Sequence, residues 1–181
     1  MRLEDLGGRI CILGPSSGGK STLAAAIARA NGSAVVHLDQ LHHQPGTDWR
    51  PRSDAEFAML HQAAIDAESW VIDGNYSRHL PARLQRATGV ISIESRPLGN
   101  LVRYLRRSLS AKGQRIGAPE GAPDRIKWEM IRYILWDQVR KRGPLDQFEN
   151  DAGARPGGLT VLRLRSMRDV KACYEKWALR R

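Results

Sequence analysis

Short apolar runs recur along the chain, each followed by a longer polar or amphipathic stretch. Arg9-Ile-Cys-Ile-Leu13 stops at Gly14 and reads as a buried strand. The same reading applies to Ala34-Val-Val-His-Leu-Asp39, Trp70-Val-Ile-Asp73, Gly89-Val-Ile-Ser-Ile-Glu94 and Leu159-Thr-Val-Leu-Arg-Leu164. Between them, helical patterns run from Lys20 to Ala30, from Ser53 to Glu68, from His79 to Arg86 and from Leu98 to Leu109. Ser53 and Glu56 have the spacing of a capping box. Leu98, Leu101, Val102 and Leu105 share one helical face. Asp124 opens a longer helix to about Arg142, and Ser166 caps a last one to about Ala178. Strands alternating with helices predict right-handed crossovers and a parallel sheet covered on both faces, a three-layer α/β fold. Residues 1–181 are read as one domain. Two stretches, 40–68 and the Gly- and Pro-containing 110–123, fall between strands and are expected over the carboxyl ends of the sheet, where such folds bind ligands.

The turn after the first strand is more specific than the pattern around it. Gly14-Pro15-Ser16-Ser17-Gly18-Gly19-Lys20-Ser21 matches G-x-x-x-x-G-K-[ST] at every fixed position, between an apolar strand and an Ala-rich helix. Glycines there let backbone N–H groups turn inward around phosphate oxygens, and the following helix adds positive dipole. Lys20 is expected to reach the β- and γ-phosphates, the Ser21 hydroxyl to ligate Mg²⁺, and Thr22 to complete the first helical turn of the site. The expected ligand is a nucleoside triphosphate with Mg²⁺.

Asp39 and Asp73 close the second and third strand patterns, at the same edge of the sheet as the phosphate loop. A carboxylate there can hold a metal-bound water or take a proton from a hydroxyl nucleophile. Asp73 is assigned with Ser21 to the metal, and Asp39 to the acceptor.

The segment Trp70-Val-Ile-Asp-Gly-Asn-Tyr-Ser-Arg78, with Lys20-Ser21 and the Arg103-x-x-x-Arg107 pair, resembles adenylate-kinase-like P-loop kinases. The phosphate loop, His37-Leu-Asp39, the Trp49 region, the Trp-x-Ile-Asp-Gly-Asn-Tyr segment and the Arg103–Arg107 helix are together similar to a bacterial family called topology modulation proteins. The resemblance spans residues 10–110. It implies a P-loop NTPase fold with about five parallel strands in the order 2-3-1-4-5, ATP as the nucleotide, an acceptor-binding region over 40–68 and an arginine-bearing lid over 108–125. Nucleoside monophosphate kinases of this superfamily carry Asp-Gly-Phe-Pro-Arg; here Asn75-Tyr76-Ser77 stands in place of Phe-Pro and Arg78 comes one residue later. An acceptor that is already a phosphate needs no base. Asp39 therefore fits a neutral hydroxyl better, as the resemblance to shikimate or gluconate kinase implies.

Arg103, Arg106 and Arg107 adjoin on one helix surface, Arg115 sits in the lid stretch, and Arg125 and Arg132 begin the helix beyond it. Arg103 and Arg107 are expected to neutralise charge on the transferring phosphoryl group. Trp49 and Arg50, with Arg52 nearby, are expected to wall the acceptor pocket and hold an acidic acceptor; Asn75, Tyr76 and Arg78 are placed with them. His42-His43 reads as polar loop rather than metal site, and Trp128, Tyr133 and Trp136 as packing for the long helix.

Charge sharpens this picture. Lys and Arg number 29 against 19 Asp and Glu, for a net +10 and a pI near 10.3. Residues 1–95 hold nine basic and ten acidic side chains, so the second half carries +11, mostly arginine. That excess suits bound triphosphate, and it also suits nucleic acid. A nucleic-acid-binding P-loop ATPase acting on DNA topology is the alternative to a kinase with an unidentified small-molecule acceptor, although no helix-turn-helix, zinc or RNA-binding signature occurs. Apolar residues at 41% suit a folded core, and no apolar run reaches membrane-spanning length, so no membrane partner is expected. The opening Met1-Arg-Leu-Glu-Asp-Leu lacks a basic-then-apolar leader pattern, which makes a cytoplasmic protein the expectation. The two cysteines, Cys11 and Cys173, are read as buried thiols.

Overall fold

A computed structural model describes residues 1–110, 116–123, 125–137 and 159–180. Five strands form one parallel sheet: β1 (Arg9–Leu13), β2 (Ala34–His37), β3 (Trp70–Asp73), β4 (Gly89–Ile93) and β5 (Thr160–Leu164). Their order is β2-β3-β1-β4-β5, as expected from the sequence. Cys11 faces Ile72 on one side and Val90 on the other, so β1 is central and buried on both faces.

Alternation along β1 divides the core in two. Ile10 and Ile12 pack with Leu23 and Ile27 of α1 (Lys20–Asn31) and Val170 of α7 (Met167–Lys176). Cys11 and Leu13 point the other way, to Phe57 and Ile65 of α3 (Asp54–Asp66) and Leu80 and Leu84 of α4 (Leu80–Arg86). This is the three-layer arrangement that the alternating pattern predicts.

Ser53 caps α3, its Oγ accepting from the Glu56 N–H at 3.2 Å, while the Glu56 carboxylate turns to Arg52 at 2.9 Å instead of closing the box. Ser166 caps α7 in the same manner at 3.3 Å. The second strand pattern ends two residues early, because Leu38–His42 forms a short helix, α2. Asp39 thus lies in the first turn of a helix and not at the end of a strand.

The helix expected from Asp124 to Arg142 starts later and is interrupted. Pro97–Ser110 is α5, Trp128–Arg132 is α6, and Tyr133–Asp137 continues as a π-helical turn. Trp128 and Trp136 are largely exposed, so they do not pack it as expected; Tyr133 is half-buried. The lid positions Arg115 and Asp124, and the arginines beyond residue 137 up to Arg142, lie outside the described residues. No helix among the described residues is long and apolar enough to cross a membrane. Cys11 and Cys173 are free and buried.

Candidate functional site

At the carboxyl edge of β1 and β3 lies a cavity of about 690 Å³. Gly14, Ser16, Ser17, Gly19, Lys20, Ser21 and Thr22 line it; Pro15 and Gly18 form the loop's outer turn, joined by a Gly18 N–H to Pro15 O bond of 3.1 Å. Gly19 is the N-terminal cap of α1, so the loop runs directly into the helix dipole. Lys20 Nζ donates to Pro15 O at 2.9 Å. The Ser17 hydroxyl is buried without a hydrogen-bond partner in a loop built from phosphate-binding residue types. A phosphate oxygen would satisfy it, so the residues fit a nucleotide.

The metal assignment is geometrically coherent. Ser21 Oγ donates to Asp73 Oδ2 at 2.7 Å, while Asp73 Oδ1 is held by His37 Nδ1. These are hard oxygen donors of the kind Mg²⁺ takes, with an imidazole steadying the carboxylate from behind. Among the described residues no group of three His, Cys, Asp or Glu could hold a metal alone. A divalent ion here would draw its remaining ligands from phosphate oxygens and water, which is the habit of Mg²⁺.

One turn, residues 74–76, joins the phosphate loop to Asp39. Asn75 brackets the Gly14 residue: its Oδ1 accepts the Gly14 N–H at 3.0 Å and its Nδ2 donates to Gly14 O at 3.0 Å. Tyr76 OH donates to Asp39 Oδ1 at 2.8 Å. Burial and the Asp39 charge push the Tyr76 phenol far above its usual range, so it stays a donor. The same causes raise Tyr133, which lines the cavity from the π-helical turn. Gly74 has φ +125°, and a Cβ there would stand 3.0 Å from the Leu38 side chain, so the turn needs glycine.

Behind Tyr76 lies a ring cluster. Its ring centroid is 5.0 Å from His42 and 5.2 Å from Phe57, and Phe57 in turn packs on His61 and His79. His42 belongs to this packing and is not a free loop residue. Burial drives the His61 imidazole down to about 4, with the nearby Arg83 and His79 acting the same way. Burial also lowers His42 and His79.

Other expected site residues are distributed differently. Arg107 lines the cavity, its guanidinium 5.6 Å from the Tyr104 ring centre. Arg103 does not line it. Its Nε donates to Ser17 O at 2.8 Å, and its Nη2 to the fully buried Asn100, so it braces the phosphate loop from outside. Trp49, Arg50 and Arg78, read as acceptor-binding, also lie off the cavity. Arg78 is exposed and pairs with Asp54 at 2.5 Å, while Arg50 is exposed. Arg52 spends its guanidinium on the carbonyls of Gln40, Leu41 and His43.

Trp49 does a different job. Its Nε1 donates to Pro123 O at 3.2 Å, one of several ties between the 40–49 loop and residues 116–127. Gln40 Nε2 donates to Ala118 O at 3.0 Å, Gly46 N–H to Glu120 O at 2.7 Å, and Lys127 pairs with Asp48 at 2.8 Å. The 116–123 part of the stretch expected over the sheet edge is therefore packed, with Gly117, Ala118 and Pro119 buried. Gly117 has φ +81°, and a Cβ there would lie 2.8 Å from Ser21 Oγ and 3.2 Å from His37 Nδ1. Gln40, Gly117, Asn100, Arg83 and Met130 are not among the residues expected at the site, and Tyr133 is expected only as packing. Asn100, three before Arg103 on one helix, is the one that spacing could have flagged.

No family model matches the chain. The phosphate import ATP-binding protein PstB of Aeropyrum pernix is 26% identical over 132 residues, which are 72% of this chain and 42% of that protein. The chain thus spans less than half the length of that relative. Among solved structures, a shikimate kinase from Bacteroides thetaiotaomicron superposes with a TM-score of 0.52 at 17% identity, over 93% of this chain and 96% of that one. A gluconokinase from Sinorhizobium meliloti superposes with a TM-score of 0.45 at 17% identity, over 81% and 98%. The shikimate kinase likeness shows the fold of a P-loop kinase.

Proposed function

We propose that the chain is a Mg²⁺–ATP-dependent phosphotransferase acting on a hydroxyl-bearing small molecule. One observation carries the reading: a single cavity brings Lys20, Ser21 and Asp73 together with a second carboxylate, Asp39, oriented by Tyr76. A carboxylate oriented there suits removal of a proton from an acceptor hydroxyl. The resemblance of residues 10–110 to topology modulation proteins and the P-loop kinase fold support the same class.

In this reading the backbone of residues 14–21 and Lys20 hold the triphosphate. Ser21 and Asp73 hold Mg²⁺, which would offset charge on the β- and γ-phosphates. Arg107 faces the cavity and stabilises the transferring group, while Arg103 fixes the loop through Ser17 O. Asp39 accepts the proton of the acceptor hydroxyl as the phosphoryl group transfers, and Tyr76 holds that carboxylate in place. The 116–123 segment covers Ser21 and helps exclude water.

The test is an ADP-release screen with Mg·ATP against nucleosides, nucleoside monophosphates, sugar acids and shikimate-like polyols. Lys20→Ala serves as control and is expected to lose about 10³-fold. Wild-type turnover in that variant would overturn the assignment.

The surface charge favours a second reading. Arg96, Arg106, Arg125, Arg132, Arg165 and Arg168 are exposed and off the cavity, so much of the positive excess does not meet the triphosphate. An ATPase that binds nucleic acid across this surface would use it.

A further inference from the structure

Arg83 is 1% exposed, yet it is an arginine in the apolar layer between the sheet and α4. Burying a guanidinium costs several kcal/mol unless something is gained in return, and an apolar side chain of similar size is usually as stable. No carboxylate touches it among the described hydrogen bonds and ion pairs. Its Nη1 donates to Gly74 O at 3.1 Å and its Nη2 to Asn75 O, while Nε has no partner. Both of its hydrogen bonds go to consecutive carbonyls of one turn.

That turn has a demanding backbone. Gly74 is at φ +125° and Tyr76, a bulky residue, at φ +35°. Its two side chains serve opposite halves of the site: Asn75 clamps Gly14 of the phosphate loop, and Tyr76 holds Asp39.

We infer that Arg83 is a positioning residue that keeps the nucleotide cradle and the acceptor carboxylate in register, by pinning the carbonyls of Gly74 and Asn75. The inference rests on the nucleotide reading of residues 14–21. Arg83 touches neither nucleotide nor acceptor; it acts through Asn75 on one side and Tyr76 on the other. A lysine keeps the charge but cannot span two carbonyls with a planar fork, so it does not substitute.

Mg·ADP titration of the full chain tests this without an acceptor. Arg83→Lys and Asn75→Ala are each expected to weaken Mg·ADP about 10-fold, and the double variant no more than about 2-fold beyond the weaker single. That non-additivity separates positioning from a general loss of stability, which would combine additively. Additive losses, or wild-type affinity in Arg83→Lys, overturn the inference while the nucleotide reading stands. Absence of Mg·ADP binding by the wild type overturns both.

If Arg83→Lys does not fold, hydrogen exchange decides. In the wild type, Mg·ADP is expected to protect the amides of residues 74–76 together with those of 17–20. In Arg83→Met, which fills the same apolar layer without donors, protection of 74–76 is lost and that of 17–20 remains. Unchanged exchange at 74–76 in the wild type overturns the inference.

Discussion

The Tyr76 hydroxyl donates to Asp39 Oδ1 at 2.8 Å within the cavity that Lys20 and Ser21 also line. The bond orients the carboxylate, and a general base must be oriented before it meets an alcohol. Tyr76→Phe is expected to lower turnover of the best acceptor in the ADP-release panel about 10-fold, and Asp39→Asn about 10²- to 10⁴-fold. Neither should move Mg·ADP affinity more than about 2-fold. A loss of nucleotide affinity as large as the loss of turnover would place these residues on the nucleotide and not the acceptor.

Ser21 and Asp73 act through the metal in the proposed arrangement. Ser21→Ala should weaken ATP about 10-fold when Mg²⁺ is present, and bind like the wild type in excess EDTA. Calorimetric titration in the two buffers measures both. Equal losses in the two would show that the hydroxyl serves the loop and not the ion.

Gly117→Ala adds a Cβ at 2.8 Å from Ser21 Oγ on a backbone with φ +81°. The left-handed cost alone is about 1–2 kcal/mol. The 116–123 segment should lift, freeing the Trp49 indole from Pro123 O. A red shift of tryptophan emission that disappears in the Trp49→Phe background checks this. An unchanged spectrum would mean that the segment absorbs the extra atom in place.

The ring cluster behind Tyr76 carries a pH dependence whose sign follows from burial. The imidazoles of His42, His61 and His79 are lowered in the folded chain, so the unfolded chain binds more protons as pH falls below about 6.5. Stability is therefore fully present above that value and declines from about 6.5 toward 4. His61→Leu removes a buried Nε2 that has no partner. It should flatten the decline while leaving the melting temperature at pH 7 equal or higher. A parallel decline in both proteins, followed by thermal melts from pH 7 to 4.5, would remove His61 from the account.

The exposed arginines separate the two functional readings. A kinase without a nucleic-acid role should show no retention of duplex DNA at physiological salt in a fluorescence anisotropy titration. Binding that weakens steeply with added salt would report many phosphate contacts and favour the second reading.

The sheet was legible in the sequence because each strand is a short apolar run cut by a turn signal, and β3 and the phosphate loop read directly. What failed did so for specific reasons. Asp39 was placed at a strand end because His37-Leu38 continues the alternation, whereas tertiary packing of Leu38 against Gly74 starts a helix there. Arg78 drew the acceptor role by its nearness to the Asp-Gly segment, yet Arg83, one and a half turns further on, is the arginine that reaches that turn. An arginine inside an amphipathic pattern looks like solvated surface, and only burial distinguishes it. Trp49 looked like a pocket wall because its partner, Pro123, lies 74 residues away in sequence.

The ties between residues 40–49 and 116–127 have a mechanical meaning. Residues 116–127 are fastened to the 40–49 segment by three hydrogen bonds and an ion pair, and Gly117 lies close against Ser21 of the phosphate loop. Residues 40–49 and 116–127 are therefore coupled, and displacement of one segment carries the other with it.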